Sequence, residues 1–150
     1  MNHFIGALYV EAMIWFRKAA KQGNALAQNS IGDLYHRGDG VSQDYTKAMI
    51  WYRKAAQQGY AEAQGCIGYL YQEGQGVSQD YAKAMIWYRK AAENGHAGSQ
   101  CSIGEMYDEG LGVSQDKLKA LEWYQKAAEQ GSSDAEYAVD RLQSKGYTQS

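Results

Sequence analysis

The stretch ALAQNSIGDLYHRGDGVSQDYTKAMIWYRKAAQQG, residues 25–59, decides the fold of this chain of 150 residues. It holds two apolar phrases joined by a short loop with two glycines, and close variants follow at 61–95 and 97–131. The tryptophans show that the period is 36 residues: Trp15, Trp51, Trp87 and Trp123. Such a period predicts stacked repeats, because each unit is too small to bury its apolar face without its neighbours.

Both phrases of the repeat have the apolar periodicity of a helix. In the first phrase the apolar or small residues recur at i, i+4, i+7 and i+8, on one stripe: Ala27, Ile31, Leu34 and Tyr35. The second phrase also gathers such residues on one face: Tyr45, Ala48, Met49, Tyr52, Ala55 and Ala56. We therefore expect the tyrosines at repeated positions to lie in the core: Tyr35, Tyr52, Tyr71, Tyr88, Tyr107 and Tyr124.

Glycine ends the helices of the repeat, since the chain contains no proline. In the loop GDGVSQD, Gly38 suits a left-handed residue that ends the first helix, and Asp44 suits the N-cap of the second. Gly32 lies inside the first helix, where glycine costs about 1 kcal/mol relative to alanine. Because this cost recurs at Gly68 and Gly104, we expect the partner helix to approach closely at these positions.

The opening segment FIGALYVEAMIWFRKAAKQG, residues 4–23, joins the two phrases without the loop between them. Its apolar residues stay on one face when the segment is read as a single helix, so we expect one continuous helix over about residues 4–21. This helix would cap the apolar edge of the next repeat. The start of a longer, truncated array would give the same pattern.

The last segment resembles a first helix without a successor. Asp140 and Gln143 replace the repeated glycine and tyrosine, and polar residues at these positions suit an outer cap. We expect a single solenoid domain over 1–150 with the following parts: a capping helix at 1–23, full repeats at 24–59, 60–95 and 96–131, and a C-terminal capping helix at 132–150.

The pattern AxAQxxIGxLYxxGxGVxxDYxKAxxWYRKAAxxG resembles the Sel-like repeat (SLR) family, which is related to the tetratricopeptide repeat. The resemblance implies an all-α fold, a right-handed α-solenoid of about eight helices. It also implies a non-catalytic scaffold or adaptor that binds protein or peptide partners. The chain departs from the family at Ser42, Ser78 and Ser114, where proline is usual, and we expect these loops to be looser without a change of fold.

Composition argues against several other classes of protein. The net charge is −2 and the Lys and Arg residues are dispersed, which argues against a nucleic-acid-binding protein. The chain shows neither a secretion signal nor an apolar run long enough to span a membrane, so we expect a cytoplasmic protein. The glycines of the loop lack the further residues of a nucleotide-binding motif.

Few residues suggest metal, cofactor or catalytic chemistry. The histidines occupy unrelated repeat positions and are expected to be exposed: His3, His36 and His96. Cys66 and Cys101 are expected to be reduced, partly buried thiols. We expect no metal and no cofactor. The carboxylates Glu105, Asp108 and Glu109 leave a hydrolase as a weaker alternative, although a solvated helix face is the simpler explanation for them.

In the family that this chain resembles, the first helices line the concave side of the solenoid. The candidate partner-binding residues there are Asn29, Asp33, His36, Arg37, Gly65, Tyr69, Gln72, Glu73, Glu105, Asp108 and Glu109. Tyr69 is the candidate anchor, with space beside its ring at Gly65. The acidic residues toward the C-terminal half favour a partner segment that carries Lys or Arg. Variation at these positions can equally reflect a lack of constraint.

The second helices present an unusual apolar position on the convex side. Ile14, Ile50 and Ile86 lie opposite the core face, where the family commonly has a charged residue and where the last repeat has Glu122. An aligned row of exposed isoleucines is typical of an interface. A self-assembling module that dimerises through this stripe, or a second partner helix laid along it, is therefore the alternative function. The simpler explanation of these isoleucines is that Trp and Arg side chains partly cover each of them.

Overall fold

The computed structural model describes residues 2–149, with the side chains of residues 4–149. This part of the chain forms eight helices and no strand: α1 (Asn2–Lys21), α2 (Ala25–Arg37), α3 (Tyr45–Gln57), α4 (Ala61–Glu73), α5 (Tyr81–Glu93), α6 (Ala97–Glu109), α7 (Lys117–Glu129) and α8 (Ser133–Ser144). Each helix packs mainly against the helices before and after it in sequence. The predicted all-α solenoid is confirmed. None of the described helices combines the length and the apolar character that crossing a membrane requires.

The helix ends follow the predicted chemistry. Gly38 ends α2 in the left-handed conformation, with φ 74°, and its amide donates to the Leu34 carbonyl. Asp44 caps α3, and its side chain accepts a hydrogen bond from the Lys47 amide. The same arrangement returns one and two periods later at the ends of α4 and α6 and at the starts of α5 and α7.

The core is built from the repeated apolar positions of both helices. All six tyrosines predicted to be in the core are at most 8% exposed. The glycines inside the first helices have the expected purpose, because a Cβ atom on Gly32 would lie only 2.6 Å from the Tyr52 ring. Gly68 and Gly104 face the rings of Tyr88 and Tyr124 in the same way. In each full repeat, an aromatic ring of the second helix therefore packs directly against a glycine of the first helix.

Two sets of polar contacts join neighbouring repeats, and neither set was predicted from the sequence. Arg17, Arg53 and Arg89 each donate from Nη2 to the hydroxyl of the tyrosine 18 residues later, in the next first helix. The buried glutamine of the AxAQ phrase also links units. Gln64 donates to the Ala56 carbonyl and accepts from Asn94. The 36-residue recurrence of these residues was the signal that could have revealed both contacts.

The opening segment forms one uninterrupted helix, α1, so the predicted fusion of the two phrases is confirmed. Met13 and Ala20 of α1 are buried, and Arg17 contacts the Tyr35 hydroxyl of α2. One side of α1 therefore covers α2. The side chain of His3 lies outside the described residues.

Candidate functional site

The first helices of the full repeats, α2, α4 and α6, line a groove of about 470 Å³. Tyr69 borders this groove and is 44% exposed. Its ring meets the edge of the His36 ring, with the centroids 6.1 Å apart. Arg37 on α2 and Glu62 on α4 are exposed and bring charges of both signs to the groove. We call this surface the concave groove.

Hydrogen bonds and ring contacts fix the wall of the concave groove. The Tyr52 hydroxyl donates to Oδ1 of Asp33 at 2.7 Å. The His36 ring is hydrogen-bonded through Nε2 to Oε1 of Gln75 at 2.9 Å and also packs against Tyr45, with centroids 5.3 Å apart. Because these side chains are already held in place, a ligand would have to order few of them on binding.

Eight of the eleven predicted partner-binding residues are at least partly exposed: Asp33, His36, Arg37, Tyr69, Gln72, Glu73, Glu105 and Glu109. Asn29 and Gly65 occupy the same repeat position and are both buried, although Gly65 still lines the concave groove. Asn29 is only 2% exposed. A Cβ atom on Gly65 would lie 2.7 Å from Ser99 Oγ and 3.0 Å from the His96 ring. At Gly65 this position therefore faces Ser99 of α6 and the His96 ring that caps this helix.

Asp108 is also buried, with 5% of its surface exposed. Its carboxylate forms ion pairs with Lys117 on α7 and Arg141 on α8, and it accepts a hydrogen bond from the Tyr124 hydroxyl. Burial by itself would raise the pKa of Asp108, but the hydrogen bonds from Lys117 and Arg141 lower the pKa below its ordinary value. Asp108 is thus a structural anion and not a general acid of a hydrolytic pair.

A second pocket, of about 320 Å³, lies between α6 and α8. Its charged lining residues are four carboxylates and one cation, the cation being paired with Asp108: Glu105, Asp108, Glu109, Asp134 and Arg141. Burial, followed by the charges of Glu109, Asp134 and Asp108, raises the pKa of Glu105. Within residues 4–149 the ion pairs are those of Asp108, so Glu105 and Glu109 have no basic partner in that part of the chain. We call this surface the acidic pocket.

Gln72 and Glu73 lie at the end of α4. Gln72 accepts a hydrogen bond from the Tyr88 hydroxyl and donates one to Glu73 Oε1. Gln72 therefore has a packing role as well as partial exposure, whereas Glu73 is exposed.

The histidines are not simply exposed, contrary to the expectation. His36 and His96 are both partly buried and both line the concave groove. His96 caps α6, because its Nδ1 accepts a hydrogen bond from the Ser99 amide. Burial lowers the pKa of His96, against a smaller opposing effect from Glu62. Asn24 and Ser132 cap their helices from the same repeat position, so the 36-residue period was the signal that could have revealed this role.

The thiols are free and poorly reactive. Cys66 is partly buried and Cys101 is buried, as the sequence predicted. Burial raises the pKa of Cys66 to about 12 and that of Cys101 to about 11. A thiol becomes a nucleophile as the thiolate, so neither is suited to catalysis. Among the described side chains, no cluster of three or more His, Cys, Asp or Glu residues is arranged to hold a metal.

The isoleucines of the second helices are exposed on the convex side of the solenoid. Ile14, Ile50 and Ile86 are 53%, 50% and 55% exposed. The neighbouring tryptophans are each covered by the lysine three residues later, at 4.3 Å from Lys54 Nζ to the Trp51 ring centroid, for example. These lysines leave the isoleucines half exposed. We call the three isoleucines the convex stripe.

Comparisons with known proteins agree with this architecture. The sequence profile of the Sel1 repeat matches residues 7–24, 25–60, 61–96 and 97–132. Over 89% of its length the chain is 46% identical to c5321, a protective antigen of uropathogenic Escherichia coli strains with an SLR fold, with a TM-score of 0.84. A Sel1 repeat protein from Oxalobacter formigenes is 39% identical over 92% of the chain, with a TM-score of 0.81.

The chain spans 29% of the first of these solved proteins and 57% of the second. Cysteine-rich protein B of Helicobacter pylori shares the fold at 22% identity, with a TM-score of 0.68 over 87% of this chain and 94% of that one. No curated protein matched. Proteins built from Sel1 repeats generally act as non-catalytic scaffolds for protein interactions. With repeats matched over most of its length, the chain belongs to the Sel1 repeat family.

Proposed function

We propose that this protein binds an extended segment of a partner protein across the concave groove and the acidic pocket. The observation that carries the proposal is the groove itself, of about 470 Å³ with the half-exposed ring of Tyr69 at its border. Aromatic side chains in such grooves commonly supply much of the binding energy at protein interfaces. The proposed partner-binding residues are the predicted ones that are at least partly exposed: Asp33, His36, Arg37, Tyr69, Gln72, Glu73, Glu105 and Glu109.

The charges favour a partner segment with a basic side chain. Glu105 and Glu109 border the acidic pocket without a basic partner among the described side chains. Burial and then the neighbouring carboxylates raise the pKa of Glu105, and the charge of an incoming Lys or Arg would offset the repulsion between these carboxylates. An apolar side chain would lie against Tyr69, and the basic side chain would follow toward α8. Charge attraction makes such binding weaker in high salt.

Selection from a phage-displayed library of random linear peptides tests this function directly. We expect selected peptides to be enriched in Lys or Arg beside an apolar residue. Tyr69→Ala and Glu105→Lys should each weaken their binding about 10-fold or more. Glu122→Lys makes the same change of charge on the opposite side and should leave the affinity unchanged. Equal affinity for all four proteins would place the binding site elsewhere.

A second candidate function is supported by the exposure of the convex stripe. Three isoleucines that are each about half exposed, one per repeat, form an aligned apolar surface. A self-assembling structural module would bury them against a second copy, with a contribution on the order of 1 to 2 kcal/mol per isoleucine. Replacing both Ile50 and Ile86 with Glu should then abolish self-association. A dimer that survives this double change would exclude the convex stripe as its interface.

A further inference from the structure

The helix α1 leaves uncovered the face that every other second helix buries. By the 36-residue period, Ala12, Phe16 and Ala19 of α1 correspond to residues of α3 that pack against α2: Ala48, Tyr52 and Ala55. Those three are 0%, 2% and 0% exposed. Their counterparts in α1 are all partly exposed. The missing loop explains the difference, because α1 contains both phrases in one helix and so cannot fold its first phrase back onto its second.

Further apolar side chains extend this face toward the start of the helix. Ile5, Leu8 and Trp15 lie within about 100° of helical arc with Ala12 and Ala19. Ile5 is 46% exposed, Leu8 52% and Trp15 63%. Together with Phe4, they expose on the order of 500 Å² of apolar surface, near the upper limit for an unpartnered patch on a monomer. We call this surface the α1 face.

The end of the solenoid is not shaped to receive the α1 face. Joining α8 of one copy to α1 of the next would rebuild a repeat, with the Phe16 ring on the position that Gly32 holds in α2. In α8 that position is Asp140. At the equivalent Gly32, Gly68 and Gly104 even a single Cβ atom would lie 2.6 to 2.7 Å from the facing ring, so the larger side chain of Asp140 would clash with Phe16. Head-to-tail stacking in the manner of the internal repeats is therefore blocked.

We propose that the α1 face binds the α1 face of a second copy of this chain, as an antiparallel helix pair related by a two-fold axis near Ala12. In this arrangement Leu8 lies opposite the partner's Phe16, and Ile5 lies opposite the partner's Ala19. Large side chains thus meet medium or small ones, and Ala12 lets the two helices approach closely at the axis. The contact is closed and produces dimers rather than fibres.

The expected strength follows from the area. Two such faces bury on the order of 1,000 Å² of apolar surface, at the low end for a specific interface, so we expect a dissociation constant in the micromolar range. The concave groove and the convex stripe are not involved. The dimer is therefore independent of the proposed peptide binding, and each can fail without the other.

Sedimentation equilibrium of the whole chain over a concentration series tests the dimer. We expect monomers at low micromolar concentration and dimers at higher concentration. Leu8→Glu should weaken the dimer at least 10-fold, because it places a charge in the interface against the partner's Phe16. Leu118→Glu is the matched control, since Leu118 is 49% exposed on α7, and it should leave the dimer unchanged. A monomer at every concentration, or a dimer that Leu8→Glu does not weaken, overturns the proposal.

A cross-link reports the geometry and separates the two possible dimers. With Ala12→Cys, mild oxidation should join two chains, because the two-fold axis brings residue 12 of each copy together. Glu122→Cys places a thiol on the other side of the molecule and should remain unlinked. Two other results together would place the interface at the convex stripe. In that case Ala12→Cys forms no cross-link under oxidation, and the double change Ile50→Glu and Ile86→Glu abolishes the dimer.

Discussion

At the scale of single residues, the repeat depends on contacts in which one atom more would not fit. The glycines inside α2, α4 and α6 are the clearest example, because each lies against a buried tyrosine ring of the following helix. The helical cost of glycine is about 1 kcal/mol, and the close approach of an aromatic ring offsets it.

Gly68→Ala tests this balance. The added Cβ would lie 2.6 Å from the Tyr88 ring, which is 3% exposed and is held by the hydrogen bond from its hydroxyl to Gln72. We expect a loss of about 1 to 3 kcal/mol in the free energy of unfolding, because overpacking outweighs the gain in helix propensity. Urea denaturation measures it. Gly6→Ala is the matched control, since nothing lies within 4 Å of its added Cβ, and it should stabilise the protein slightly.

The His96 cap predicts a pH dependence. Burial lowers the pKa of His96, so the folded state prefers the neutral ring. The stability from this cap is complete above the ordinary pKa of about 6.5 and is lost as the pH falls through the lowered pKa of the folded state. We expect a loss of about 1 kcal/mol, the usual value of an N-cap. It should appear in urea denaturation between neutral and mildly acidic pH.

His96→Asn supplies the control for that measurement. Asn24 already caps α2 through its side chain, so asparagine can keep the cap without titrating. The variant should lose less stability over the same pH range. An unchanged pH dependence would assign the effect to other groups.

At the scale of whole helices, the C-terminal part of the solenoid is joined by a charge cluster that the internal repeats lack. Asp108 on α6 contacts Lys117 at the start of α7 and Arg141 on α8. Tyrosine takes the place of Lys117 in the two preceding repeats, at Tyr45 and Tyr81. The last helix is thus attached by ionic contacts as well as by the buried side chains of Ala135, Ala138 and Leu142.

Asp108→Asn should loosen this end of the molecule. The substitution leaves Lys117 and Arg141 without their anion, and we expect a loss of about 1 to 3 kcal/mol, since both cations keep partial access to water. Amide hydrogen exchange should show the loss of protection mainly in α8. Glu109→Gln makes the same chemical change at an exposed site and should leave the exchange of α8 unaltered. Equal protection of α8 in all three proteins would contradict a role for Asp108.

At the scale of the whole molecule, stability comes from interfaces between neighbours that repeat every 36 residues. The Arg53 contact to Tyr71 and the Arg89 contact to Tyr107 are copies of one another, as are the glutamine contacts at Gln64 and Gln100. A solenoid of this kind can lose one unit and close the gap with an equivalent surface.

Deleting residues 61–96 tests this property, because α6 then follows α3 and Arg53 meets Tyr107 in place of Tyr71. We expect a folded, helical protein with a lower midpoint in urea, since one interface between repeats is lost, and without peptide binding, since Tyr69 is lost. Deletion of residues 61–78 removes only half a unit and should prevent cooperative folding, because two second helices then follow each other. Equal stability of the two deletion variants would disprove independent, equivalent repeats.

The sequence alone determined the helices, their ends and the core. These features depend on local chemistry and on spacing: Gly38 ends a helix and Asp44 begins one because of their own conformations and hydrogen bonds, and the period of 36 residues marks every buried tyrosine. Even the fusion of two phrases in α1 could be read from the missing loop.

Only the tertiary structure decided which first-helix residues face the groove. The position shared by Asn29 and Gly65 looks exposed on a single helix, but the next first helix covers it. Asp108 looks like a surface acid until α7 and α8 bring two cations to it. The α1 face was also visible only in the structure, where its exposure contrasts with the buried counterparts in α3. The physical reason is the same each time. Burial depends on how neighbouring helices pack, and a periodic sequence indicates each helix but not the distance between helices.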